Sequence, residues 1–226
     1  YTPAASELAW AVTLGGTKRE DIAGIVTLND GYVVAGRTDS TGAGGDDVFV
    51  AKLGKTGRLL WVKTFGTADG HEVPGMLVKN GSTLSIAGTR TVGTTSTAFF
   101  LTLDLEGAVQ STHLLADPSG GNIEINGGCL RSGGGICLVG NHLPASQPRR
   151  LLTLMISAVI SEEESAFSYG NATNSLLGLT VTEGQNAFGQ NVLVAGGRAD
   201  SAGLIVADAG SASSADHVVY ASPQTT

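Results

Sequence analysis

Short apolar runs set off by glycine and polar turns give the chain its pattern, and the pattern repeats. Four times a β-like run holding one glycine is followed by a Val/Ile-rich run ending in another. Gly24, Gly75, Gly127 and Gly178 mark the first run, roughly 51 residues apart, and Gly36, Gly88, Gly140 and Gly196 mark the second. A period near 50 residues signals a blade, a helix pair or a solenoid coil, so this is a repeat protein before any motif is weighed.

The first two copies are the clearest. Trp10-Ala11-Val12-Thr13-Leu14-Gly15-Gly16 returns as Trp61-Val62-Lys63-Thr64-Phe65-Gly66-Thr67. A polar stretch and a short strand follow in each, Ile22-Ala23-Gly24-Ile25-Val26 and Val73-Pro74-Gly75-Met76-Leu77-Val78. Asn29-Asp30-Gly31 and Asn80-Gly81 then supply the residues that tolerate positive φ, so each strand is predicted to turn back as a hairpin. A third strand comes next, Val48–Leu53 in one copy and Ala98–Leu103 in the other. Gly57 and Gly107 follow where a hairpin loop needs a left-handed residue, so the third strand is predicted to pair with the Trp-type strand after it. Each unit reads as a four-stranded antiparallel meander.

Copies three and four diverge but keep the order, with Ile136-Cys137-Leu138-Val139-Gly140 and Val192-Leu193-Val194-Ala195-Gly196 as their Val/Ile-rich runs. Val34-Ala35-Gly36-Arg37-Thr38-Asp39-Ser40 is echoed by Val194-Ala195-Gly196-Gly197-Arg198-Ala199-Asp200-Ser201, with one residue inserted. The Trp position becomes Ser111, Ser165 and Tyr220 in turn. The resulting expectation is an all-β chain, one domain over residues 1–226, with repeats at approximately 10–60, 61–110, 111–164 and 165–220.

Over residues 10–110 the unit resembles the bacterial β-propeller repeat family known as SBBP, which runs Trp strand, Gly-Gly, polar turn, Asp-Gly hairpin, Val-Ala-Gly strand and an Asp-Ala-Phe-Val-like strand. The resemblance implies a β-propeller of four-stranded blades, about four in this chain, and an extracellular or envelope scaffold without a named activity or ligand. Residues 7–14 match the fourth strand of a blade whose first three strands are absent, one strand too many for a closed four-bladed ring. Either a terminal strand exchanges between molecules, as in β-strand addition, or the blades belong to a larger propeller.

Composition narrows the function classes. The chain has 226 residues, enough to bury about 70–75% of its unfolded surface in one domain. Glycine is abundant, with 33 residues, and only 15% of the chain is charged, against an average near a quarter, which suits a secreted adhesive or structural protein. Net charge is −7 and the Lys and Arg residues are scattered, so no phosphate-tracking surface is expected and nucleic acid is disfavoured as a partner. No apolar run approaches the ~18 residues of a membrane span. Glu162-Glu163-Glu164 reads as a solvated loop. The Pro/Ser/Thr character of residues 1–6 and 221–226 resembles that of linkers, and the absence of an initial Met suggests a piece of something longer.

Four residues stand out as candidate sites. Cys129 and Cys137 fall on the two strands of one predicted hairpin; placed opposite each other they come within disulfide range, so a disulfide is expected, with two buried free thiols as the alternative. Asn80-Gly81-Ser82 and Asn171-Ala172-Thr173 have the form of N-glycosylation acceptors in turns, so Asn80 and Asn171 would carry sugar only in a eukaryotic secretory route. Asp46-Asp47, after Gly42-Ala43-Gly44-Gly45, matches a calcium nonapeptide once, but that motif works in tandem, and a strand start is the better reading. His71, His113, His142 and His217 share no recurring carboxylate, and Trp10 with Trp61 fits packing between blades better than a sugar platform. No metal or cofactor is expected. The expected function is a non-catalytic extracellular or cell-surface scaffold that assembles with copies of itself or another extracellular protein, as in a filament or stalk. The rivals are a glycan-binding propeller and, less favoured, a propeller lyase or hydrolase.

Overall fold

A computed structural model describes residues 10–132, 134–156, 163–169, 176–185, 191–199 and 202–208, with side chains left aside for 163–169, 176, 191, 199 and 202–208. Among the described residues all regular structure is β, in four separate antiparallel meanders. Sheet one is β1 (Glu20–Leu28), β2 (Gly31–Thr38), β3 (Asp47–Gly54) and β4 (Leu59–Phe65). Sheet two is β5 (His71–Asn80), β6 (Thr83–Val92), β7 (Thr95–Asp104) and β8 (Val109–Leu115). Sheet three is β9 (Asn122–Leu130), β10 (Ile136–Leu143), β11 (Arg150–Ile156) and β12 (Glu163–Tyr169). Sheet four has β13 (Leu176–Gln185), β14 (Asn191–Ala199) and β15 (Ala202–Asp208). The Trp61 segment thus closes sheet one rather than opening sheet two, and the sheets do not join into a barrel.

The turns form for the reason the sequence suggests. Gly57 and Gly107 sit at φ +78° and +77°, each donating its N–H to the carbonyl three residues back, on Gly54 and Asp104. Gly134, at φ +87°, makes the same turn between β9 and β10 through Arg131. These are left-handed positions that any side chain with a Cβ resists.

One irregularity recurs in all four sheets. The first strand carries a β-bulge where it pairs with the second, between Ile22 and Gly24, Pro74 and Met76, Ile125 and Gly127, and Gly178 and Thr180. Opposite the residue before each bulge stands a glycine: Gly36, Gly88, Gly140 and Gly197. A Cβ on them would lie 2.0, 2.2, 1.8 and 1.8 Å from the carbonyl oxygens of Asp21, Val73, Glu124 and Leu177. The bulge bends the strand and brings that carbonyl over its neighbour, so only glycine fits. The fourth member of the series is therefore Gly197, one residue beyond the Gly196 that the sequence spacing selects; Gly196 would bring a Cβ only to 3.1 Å from the Thr180 methyl.

The other glycine series has no common register. Gly24 and Gly127 follow their bulges, Gly75 is the bulged residue and Gly178 precedes its bulge. What they share is a neighbouring sheet. A Cβ on Gly24 would meet Leu77 at 3.0 Å, on Gly75 the Ile125 oxygen at 2.7 Å, on Gly127 the Leu179 oxygen at 3.0 Å and on Gly178 the Gly140 oxygen at 2.5 Å. First strands pack in succession at these points, β1 on β5, β5 on β9 and β9 on β13.

Cores lie between successive sheets. Val33, Ala35, Val48 and Val50 of sheet one meet Leu84, Ile86, Phe99 and Leu101 of sheet two, and Met76, Ala87 and Phe100 on the reverse of sheet two meet Ile125, Leu138 and Leu152 of sheet three. Both faces of β6 and β7 are thereby buried, and the second face of β2 and β3 is covered by Trp10 and Leu14, which is why these strands read as nearly continuous apolar runs. Each buried Val, Leu, Ile, Phe or Met side chain among them contributes about 1.5–3 kcal/mol through burial.

The adjacent glycines of β14 give a sharp test. Gly197→Ala is expected to lower stability in chemical denaturation by about 2–3 kcal/mol, because backbone must shift to admit the methyl. Gly196→Ala is expected to stay within about 1 kcal/mol of wild type. Equal effects would remove the carbonyl constraint.

Candidate functional site

Polar groups concentrate at the seams between sheets. Thr89 and Asn141 each follow a bulge-facing glycine, and each reaches the residue before the bulge in the next sheet. The Ile125 N–H donates to Thr89 Oγ1 at 2.8 Å, and the Gly178 N–H donates to Asn141 Oδ1 at 3.0 Å. Asn126 Nδ2 adds a bond to the Gly178 carbonyl at 2.7 Å. At the seam of sheets one and two the corresponding residue is Pro74, which has no N–H to satisfy. Arg37 stands where Thr89 and Asn141 stand, and it turns instead to Asp21 at 2.8 Å and Asp46 at 3.4 Å.

A carboxylate latch ties the segment that enters each of sheets one, two and three to the second strand of that sheet. Glu20 accepts from the Gly16 N–H at 3.1 Å and from Thr38 Oγ1 at 3.1 Å. Glu72, its counterpart in register, accepts from Thr67 Oγ1 at 2.8 Å and pairs with Arg90 at 3.0 Å. In sheet three the corresponding strand residue is Ile123, paired with His142. There Asp117, from the connection itself, supplies the charge, meeting His142 Nε2 at 2.7 Å and accepting from the Ser119 hydroxyl and the N–H groups of Ser119 and Gly121. Those bonds, the Ser119 hydroxyl foremost, hold the Asp117 carboxyl well below the usual carboxylate range against the opposing effect of burial. Ser119, Asp117 and His142 are the three residue types of a hydrolase triad, but in the wrong order: the carboxylate lies between hydroxyl and imidazole, whereas nucleophile activation needs the imidazole in the middle.

The two tryptophans occupy matching places. A Cβ on Gly57 would meet the Trp10 ring at 2.6 Å and one on Gly107 the Trp61 ring at 2.9 Å, so each indole lies on a hairpin glycine of the sheet that follows it. Trp61 also borders the core between sheets one and two, and Trp10 packs with Leu14 and Tyr32 on the opposite side of sheet one. Beside each tryptophan segment runs a groove. The one of about 490 Å³ is walled by Phe65, Phe99, Val109 and Leu114 with Glu72 and Arg90 at one end; its counterpart of about 290 Å³ is walled by Leu14, Phe49, Leu59 and Val62 with Glu20.

The residues singled out from sequence fall as follows. Cys129 and Cys137 are direct register partners and are not joined by a disulfide in this structure. Both turn toward sheet four, where Cys137 packs fully buried with Val139, Val181 and Leu193 and Cys129 borders the same cluster. There they act as small apolar side chains, and burial pushes the Cys129 thiol up, which leaves little thiolate for exchange. Asn80 is half-buried, and the amide nitrogen that would carry sugar donates to the Gly134 carbonyl at 2.7 Å. Asn171, His217 and Tyr220 lie outside the described residues. Asp47 is buried and Oδ2 accepts from the N–H groups of Ala43 and Gly44, so it pins the loop that begins β3. Among the described residues no three His, Cys, Asp or Glu side chains are grouped to hold a metal ion. No described helix is long and apolar enough to cross a membrane.

The latches escaped sequence reading because their partners are far apart in the chain, 18 residues for Glu20–Thr38 and Glu72–Arg90 and 25 for Asp117–His142, and change residue type from copy to copy. Comparison with protein-family models and with curated proteins finds no match for the chain.

Two outcomes are expected. Asp117→Asn should lower the thermal midpoint at pH 7 by about 2–4 °C. Because folding depresses this carboxyl, its contribution is complete above the ordinary value of 3.8 and fades as pH falls below it, so the gap from wild type should close in acid. In the second test, protein without reductant should show two alkylatable thiols, Cys129 reacting slowly in the native state and Cys137 only on denaturation; a mass showing no alkylatable thiol would mean that the pair is bonded.

Proposed function

We propose that the four sheets are successive blades of a β-propeller and that the chain is a non-catalytic scaffold, extracellular or at a cell surface, whose role is self-assembly. The observation that carries this reading is the uniform seam. Three times a bulged first strand packs on the first strand of the next sheet, at glycines that admit backbone contact. Repetition of one joint is how radial and solenoid architectures extend, and such scaffolds serve mainly to present surface.

The disposition of polar groups supports a structural role. Charged side chains that could do chemistry are engaged in latches: Glu72 with Arg90 and Thr67, Asp117 with His142 and Ser119, Asp46 with Arg37. The grooves beside the tryptophans are walled mainly by aliphatic and phenyl groups, and the indoles face hairpin glycines rather than standing free to stack on a sugar ring.

Sedimentation equilibrium of the purified chain over a wide concentration range tests the reading. Mass should rise above the 22.8 kDa of one chain. A chain that stays monomeric throughout would overturn self-assembly as its role.

A further inference from the structure

The recurring seam makes the two unpaired sides of the array comparable with their buried counterparts. On β1, Ile22 and Ile25 lie on the side of sheet one that no other described sheet covers, beside the Trp10–Leu14 segment packed over Val34 and Phe49, and each is 59% exposed. At the position of Ile25, register places Leu77 in β5 and Val181 in β13, exposed by 7% and 6%; at the position of Ile22 it places Pro74 and Ile125, both buried. The neighbouring sheet accounts for the difference. Two large β-branched side chains thus stand in water at positions that β5 buries with Pro74 and Leu77, and that β9 and β13 bury with Ile125 and Val181, while β9 has the half-buried Gly128 at the position of Ile25.

The opposite end shows the complementary lack. Val33, Ser85 and Cys137 point from β2, β6 and β10 toward the next sheet and are exposed by 3% or less. Their counterpart Val194 on β14 is only half-buried, and its register partner Thr182 is exposed. Gly196, counterpart of the fully buried Ala35, Ala87 and Val139, is likewise half-buried.

We propose that the uncovered side of sheet one, centred on Ile22 and Ile25, docks the uncovered side of sheet four, centred on Thr182 and Val194, of a second copy of this chain; this rests on the scaffold reading above. The argument is continuity with the internal interface. Each of the three internal seams joins the Val33-type side of one sheet to the Ile25-type side of the next, and those are the two sides that no sheet covers among the described residues. A contact between unlike surfaces is heterologous, so two copies close a ring if the rotation permits and otherwise grow head to tail. Same-face pairing would set Ile22 and Ile25 against themselves and reproduce none of the internal seams.

The test uses two double variants of the full chain. Ile22→Arg/Ile25→Arg blocks one side and Thr182→Arg/Val194→Arg the other. Each alone should associate at least a hundredfold more weakly than wild type, because an unpaired guanidinium would be buried in the contact. Mixed in equal amounts they should recover a species of two chains, since each retains the surface the other lacks. Thr182→Arg alone, at an exposed position, serves if the double change impairs folding. Three results would overturn the proposal: wild-type association by the Thr182→Arg/Val194→Arg variant, undiminished association by the Ile22→Arg/Ile25→Arg variant, or no complementation when wild type associates. A monomeric wild type would instead overturn the broader scaffold reading.

Discussion

A single steric constraint organises the molecule: a backbone carbonyl held over a glycine. In each sheet the bulge in the first strand sets the carbonyl of Asp21, Val73, Glu124 or Leu177 within about 2 Å of where a Cβ would stand on Gly36, Gly88, Gly140 or Gly197. The bulge lets the strand bend, and it presents backbone atoms of the first strand to the neighbouring sheet. From it follow the glycine contacts between first strands, the seam hydrogen bonds from Ile125 and Gly178, and the alternation that sends Val33 and Val34 into different cores.

Packing alone would leave the seams free to slide, since apolar contact has no direction. Directional groups fix them. Thr89 and Asn141 meet the residue before the next bulge, and the seam without such a bond has proline at that place. The carboxylate latches then hold the connecting segments. Their function is conserved while their residues change: Glu20 and Glu72 reach out from the strand, whereas Asp117 reaches back from the connection because Ile123 has taken the strand position. A buried carboxylate must have partners whichever element provides it.

Much of the fold is legible in the chain. The meander order, the hairpins at Asn29-Asp30 and Gly81-Ser82, the left-handed glycines Gly57 and Gly107 and the pairing of Cys129 with Cys137 all rest on interactions between neighbours in sequence, where turn chemistry and strand alternation act. The seam residues are less legible. Thr89, Asn141 and Asp117 are ordinary polar residues until the next sheet arrives, and nothing in their spacing distinguishes them from turn residues. Trp10 and Trp61 are recognisable as equivalent in sequence, but that each rests on a hairpin glycine is set by how the segments pack on the following sheet.

The two glycine series mark the boundary. Sequence determined that four units exist and that each contains two glycines, because a short-range period survives divergence. It did not determine that one series holds a strict register and the other does not, nor that Gly197 rather than Gly196 completes it. Strand register is a cooperative choice: one residue of slip reverses every side chain, and the winning register is the one that buries Leu193 and Ala195 against sheet three. The burial of Cys137 and the exposure of Ile22 and Ile25 were decided at the same level. Whether a β-branched side chain meets water or a neighbouring sheet depends on which surface the fold brings to it, and that is a property of the packed array rather than of the strand.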